Sequence, residues 1–150
     1  EGRTRSVGVS NFQPDHLDTI VAKTGVVPAV NQVEVHPFFA NEAVRAANKR
    51  HGVLTEAWSP IAQGKVNDND VIVQLAASAG RSPAQVALRW HVQRGDIVFP
   101  KSMHRERMEQ NFDLFDWSLS ESEMAAIDAL DQGEPGRMGP NPDTFDWIPG

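Results

Sequence analysis

Residues 30–35 read VNQVEV and residues 53–59 read VLTEAWS, two short apolar runs that each close on polar groups. Residues 6–11 (SVGVSN) and 97–102 (IVFPKS) repeat the theme. Each run has the β-branched and aromatic content of a buried strand, and each is followed by a stretch with helical spacing. Repeated β-α units build a parallel sheet or a (β/α)8 barrel. Polar residues at the carboxyl ends of such strands gather where the ligand-binding loops converge. Four units are half of the eight that a closed barrel needs. The 150 residues also fall short of the roughly 250 of a typical barrel.

The helices follow from local signals. Pro14 suits a first helical position, Leu17, Ile20 and Val21 form one stripe, and Gly25 stops it. Asn41 is read as the cap of a second helix, with Val44 and Ala47 inward and His51-Gly52 at its end. Residues 64–70 (GKVNDND) read as a polar loop, followed by a helix carrying Ile72, Leu75, Ala76 and Ala79 on one face. Ser82-Pro83 opens another, whose Ala84, Ala87, Leu88 and His91 share a face. Residues 105–114 look helical, with Met108 and Phe112 four apart, and Ser120-x-x-Glu123 is a capping box ahead of Met124, Ile127 and Leu130. We expect two parts: a β-α unit over 1–131 and a tail over 132–150, rich in Gly, Pro and Asp, lying extended on the surface or as a mobile loop.

Composition narrows the function. With 40% hydrophobic and 23% charged residues the chain is globular rather than disordered. A net charge of −6 argues against nucleic-acid or anionic-membrane partners. Cysteine is absent, which excludes disulfides and thiolate metal sites. No apolar run approaches the roughly 20 residues of a membrane span. No signal peptide is visible, so a cytoplasmic location is expected. Glu1-Gly2-Arg3-Thr4-Arg5 reads as the end of an earlier helix, which implies a preceding segment.

Ser10, Asn11, Gln32 and Ser59 stand at or near strand ends, where amides and hydroxyls bind flat polar groups such as a carboxamide; each also serves readily as a loop or cap residue. Trp58 reads either as an aromatic at the mouth, stacking on a planar ring, or as a core tryptophan. Lys101 and Ser102 end the last run, and Arg107, Gln110 and Asn111 share one face of the next helix. Cations beside a helix N-terminus form an anion pocket, or else a solvated charged face. His16, His36, His51, His91 and His104 show no ligand spacing.

Taken in order, Gly8-Val9-Ser10-Asn11-Phe12, residues 31–37 (NQVEVHP), Ala57-Trp58-Ser59-Pro60 and Lys101-Ser102-x4-Arg107-x2-Gln110-Asn111 resemble the aldo-keto reductases. Residues 83–90 (PAQVALRW) and Gln93-Arg94-Gly95 extend the match over essentially the whole chain. Within that family the chain looks most like bacterial reductases similar to 2,5-diketo-D-gluconate reductase.

The resemblance implies a (β/α)8 TIM barrel, here only its second half, strands five to eight with their helices. It implies NADPH as cofactor, a small carbonyl substrate, and a missing N-terminal barrel half as partner. By resemblance, Ser10, Asn11 and Gln32 hold the nicotinamide carboxamide and Trp58 stacks on its ring. Ser59, Pro60, Ile61, Gln63 and Gly64 form the loop over the pyrophosphate. Lys101, Ser102 and Arg107 surround the adenosine 2′-phosphate, and Gln110 and Asn111 contact adenine; Gln110 stands where the family often has Glu. The family's catalytic Asp, Tyr, Lys and His lie in the first half. The chain contains no tyrosine, so isolated it is expected to be inactive. An alternative is a non-catalytic nucleotide-sensing or interaction module of the same fold. An open half-barrel is expected to leave Val7, Val9, Val33 and Val35 poorly buried.

Overall fold

In the computed structural model, which describes residues 2–146, four parallel strands lie in the order β1 (Val9–Ser10), β2 (Val30–Glu34), β3 (Leu54–Trp58) and β4 (Ile97–Val98). Helices connect them: α1 (Pro14–Thr24), α2 (Glu42–His51), then α3 (Asp70–Ala79) and α4 (Pro83–Gln93) before β4. After β4 come α5 (Arg105–Phe112) and α6 (Glu121–Asp128). Among the described residues no helix is long and apolar enough to cross a membrane.

Register assigns the two faces. Val33 pairs with Ala57 and Ala57 with Val98, so these share the helix-covered side. There Val33, Val35, Val44, Ala57, Val66, Ile72, Ala76, Val86, Ala87 and Trp90 form the core. Ser10, Gln32, Glu56 and Ile97 align on the other side, as do Glu34 and Trp58. That side is open: Leu54, Ile97 and Phe99 are exposed.

Several expectations are corrected here. Val33 and Val35 are buried, because they point toward the helices rather than into the open side; Val7, next to the edge strand, is exposed as expected. The outer runs yield only two paired residues each, since each flanks the sheet with one neighbour and Pro100 has no N–H for a ladder. Residues 64–70 are not a simple polar loop: 3-10 turns span Ala62–Asp68 with a kink at Gln63 and Gly64, and Val66 is fully buried. Asn41 does not cap α2 with its side chain; at φ 51 it donates Nδ2 to the Glu34 carbonyl instead. Ala79 is exposed at the end of α3. Met108 and Phe112 are exposed on α5, where the Phe112 ring meets Phe115 edge-on at 6.1 Å.

As far as residue 146 the tail is docked on the molecule at defined points. The Gln132 N–H donates to Phe38 O, the Ala40 N–H to Asp131 Oδ1, and a 3-10 turn covers Glu134–Gly136. Gly136 is buried so tightly that a Cβ there would stand 1.8 Å from the Phe38 carbonyl oxygen. The tail thus closes over the carboxyl ends of β2 and β3. Trp147, within the 132–150 tail, lies outside the described residues.

Candidate functional site

The mouth is built at the carboxyl ends of the strands, where the chain turns sharply out of the sheet. Asn11 follows β1 with φ 57, and Ser59 follows β3 with φ 53; Ala62 and Gln63 are also left-handed. Non-glycine residues hold this conformation only where their surroundings fix it, and such residues cluster at ligand sites.

The fixing contacts are specific. The Asn11 N–H donates to Gln32 O at 2.8 Å, and its Nδ2 donates to Ser10 Oγ at 3.2 Å. Trp58 Nε1 donates to Asn11 Oδ1 at 2.9 Å, tying the end of β3 to the end of β1 across β2. Beneath them Gln32 Nε2 donates to Glu56 Oε1 at 2.5 Å. Behind the turn after β3, His91 lies fully buried on α4, with Nε2 3.1 Å from Pro60 O and Nδ1 2.9 Å from Asp96 Oδ2. Pro60 O only accepts, so that contact needs a proton on Nε2. Burial pushes the Asp96 carboxyl up, but the His91 bond and the Arg45 guanidinium outweigh it and hold it below the usual carboxylate range.

Two cavities meet at this surface, and a third lies beside them against α4 and α5. One of about 350 Å³ is lined by Ser10, Asn11, Phe12, His16, Trp58, Pro140, Pro142 and Phe145. The next, about 490 Å³, has Trp58, Ser59, Pro60, Ile61, Gln63, Phe99, Pro100 and Lys101 in its lining. A third, about 300 Å³, shares Phe99 and Pro100 with it but is otherwise mostly apolar, lined by Val92, Val98, Met108 and Phe112 along with Asn111. Trp58 joins the first to the second, and the residues 99–100 join the second to the third.

Ser10, Asn11, Trp58, Ser59, Pro60, Ile61, Gln63 and Lys101 therefore line one row of two cavities that share Trp58, while Asn111 lines the third. Gln32 lies under the row, engaged with Glu56. Gly64 lies at the kink of the turn and is not among the lining residues. Ser102 closes a tight turn, accepting from the His104 N–H and donating to its carbonyl. Arg107 and Gln110 stand exposed on α5, whose N-cap His104 makes no side-chain cap bond. The first N–H groups of α5 and the nearby cations form an electropositive end.

Sequence reasoning missed two residues. His91 was grouped with the core face of α4, and nothing local showed that it holds Pro60. Glu34 was the other; its one signal was a carboxylate inside an apolar run, on the same side as Gln32. It is 1% exposed and meets His36 Nε2 at 3.1 Å and the N–H groups of Met138 and Gly139 at 2.6 and 3.0 Å. Burial pushes this carboxyl up, while those three contacts pull harder and leave it below the usual range. His36 is thereby accounted for as a buried partner of Glu34. Among the described residues no His, Asp or Glu cluster could hold a metal ion.

Comparison with known proteins matches this geometry. A family profile described as the Aldo/keto reductase family covers residues 1–132. An aldo-keto reductase of Mycolicibacterium smegmatis is 48% identical over 147 residues, 98% of this chain and 53% of the relative. Methylglyoxal reductase DkgA of Escherichia coli is 45% identical over 147 residues, 97% of this chain and 53% of its own length. The crystal structure of a Gox0644 variant in complex with NADPH superposes with a TM-score of 0.94 at 44% identity, over 97% of this chain and 54% of that one. The chain thus spans about half the length of the relatives it matches.

Proposed function

The chain belongs to the aldo/keto reductase family, and on that premise we propose that it is the carboxyl-terminal half of a (β/α)8 barrel that binds NADPH and reduces small aldehydes or ketones when complete. In this reading residues 1–131 are strands five to eight with their helices, and residues 132–150 are the tail. Within the family we place it with the reductases similar to 2,5-diketo-D-gluconate reductase; a putative member of that kind superposes with a TM-score of 0.89 at 32% identity.

The observation that carries the proposal is the row of two cavities that share Trp58, from Asn11 at one end to Lys101 at the other. Its shape suits an extended dinucleotide rather than a compact ligand. Its donor set changes along its length as such a molecule requires. Ser10 and Asn11 suit a carboxamide, the Trp58 indole a planar ring, and the left-handed turn 59–63 a pyrophosphate. Lys101, with Arg107 and the start of α5, suits a further phosphate, and Asn111 a base edge. When bound, NADPH supplies the hydride. This chain's residues bind and orient it, and the turn 59–63 with the tail excludes water; proton transfer falls to the other half of the barrel.

Titration of NADPH into the complete protein, followed by addition of a small aldehyde, tests the reading. Saturable binding and then oxidation of the cofactor are expected. Binding without turnover favours the nucleotide-sensing alternative, and no binding overturns both.

A further inference from the structure

We propose that Glu34 is a positioning residue that fixes the distance between the tail and the Trp58 indole, and so sets the size of carbonyl compound the mouth admits. The inference rests on the functional reading above for its substrate and on the geometry of Glu34 for its mechanism.

Glu34 sits beside Trp58 in the sheet register, on the open side. Its two oxygens are divided between tail amides: the Met138 N–H donates to Oε1 and the Gly139 N–H to Oε2. His36 Nε2 also donates to Oε1, leaving the His36 Nδ1 without a partner among the described residues. Three donors thus converge on a group that only accepts. Glutamine would turn an NH2 toward one of them, leaving two donors face to face. The tail backbone is drawn in until it touches the indole. A Cβ on Gly139 would lie 2.4 Å from Trp58 Cη2 and 3.1 Å from Glu34 Oε2.

From that point the chain runs directly into the far wall of the first cavity, formed by Pro140, Pro142 and Phe145 opposite Asn11 and Trp58. Upstream the tail has other fixings, at Phe38 and through Arg137, which lies over the Phe39 ring and pairs with Glu134. Downstream, the hydrogen bonds of Asn141, Asp143 and Thr144 are local to their own turn. Glu34 is therefore the last attachment before the wall. Its loss frees the wall and, through Met138, loosens the adjoining Arg137, while the bond to Phe38 keeps the start of the tail docked.

The experiment uses the complete protein with Glu34→Gln and, separately, Gly139→Ala. The second variant keeps the carboxylate but forces the tail off the indole, so it reports on the same attachment if the first does not fold. The first readout is trypsin cleavage after Arg137, whose side chain is held against the barrel. Cleavage of a transiently opened segment follows its population, so losing charged hydrogen bonds should speed it roughly 10- to 150-fold. The second readout is KM for an aryl aldehyde against KM for methylglyoxal. The aryl KM should fall relative to the small one, with the change in KM rather than in kcat.

Faster cleavage together with relaxed size selection in either variant supports the assignment. Unchanged cleavage overturns the attachment. Faster cleavage with unchanged selection overturns the role of the wall. If the unsubstituted protein binds no NADPH, the functional reading fails, and the cleavage rate still decides whether Glu34 holds the tail.

Discussion

Trp58 Nε1 donates to Asn11 Oδ1 at 2.9 Å, joining the ends of two strands that are not neighbours in the sheet. The bond fixes the plane of the indole and the left-handed turn of Asn11 at once. Any planar ring stacked on Trp58 is thereby held beside the Asn11 amide.

In the complete protein, Asn11→Ala and Trp58→Phe should each remove this bond while leaving a hydrophobic wall. One hydrogen bond contributes about 1 kcal/mol, so each variant should bind NADPH about fivefold more weakly. Combining them should cost less than the sum of the two effects, since both delete one contact. Fluorescence titration measures this, and full additivity contradicts the shared bond.

Asp96 gives an acid-side prediction. Its folded pKa lies below the ordinary value, because His91 and Arg45 outweigh the cost of burial. Such a group adds stability that is complete above its unfolded pKa of about 4 and disappears as pH falls through the folded value. Asp96→Asn should destabilise the complete protein by about 3–5 kcal/mol near neutral pH, since it leaves the Arg45 guanidinium without its counter-charge and His91 without its carboxylate partner. The gap between variant and parent should narrow in denaturant melts taken below about pH 4. A constant gap across pH contradicts the pairing.

The open side makes a prediction for the 150-residue chain alone. On that side Phe99 is 53% exposed and Leu54 and Ile97 are uncovered, and away from it, on and after α5, Phe112 and Phe115 are 78% and 68% exposed. The two flanking strands each leave one edge unpaired among the described residues. Surface of this extent drives association. The isolated chain should bind a hydrophobic dye and elute from a sizing column above monomer size. A monomer that melts cooperatively and binds no dye would show that this face needs no cover.

How much of this was legible beforehand depended on sequence distance. The four strand runs and the helix stops could be read because their signals are local: a β-branched cluster here, Pro14, Gly25 or Ser82-Pro83 there. The helix-facing role of Val33 and Val35 could not. In a parallel strand both faces can be apolar, so alternation does not say which side each residue takes. The Asn41 side chain, read as a cap, instead reaches the Glu34 carbonyl at the end of the preceding strand, seven positions back. Cavity residues could be picked from their order along the chain, but their joining could not, since Asn11 and Trp58 are 47 positions apart. Glu34 was harder still: its tail partners lie 104 and 105 positions away.

The central claim is that Lys101, Arg107 and the start of α5 select a dinucleotide bearing an extra phosphate. The direct test is the dissociation constant of NADPH and of NADH for the complete protein with Arg107→Ala. One charged hydrogen bond is about 1.5–3 kcal/mol, so NADPH should bind roughly 10- to 150-fold more weakly. NADH, which lacks that phosphate, should bind almost as before. Equal losses for both cofactors, or none for either, would contradict the account.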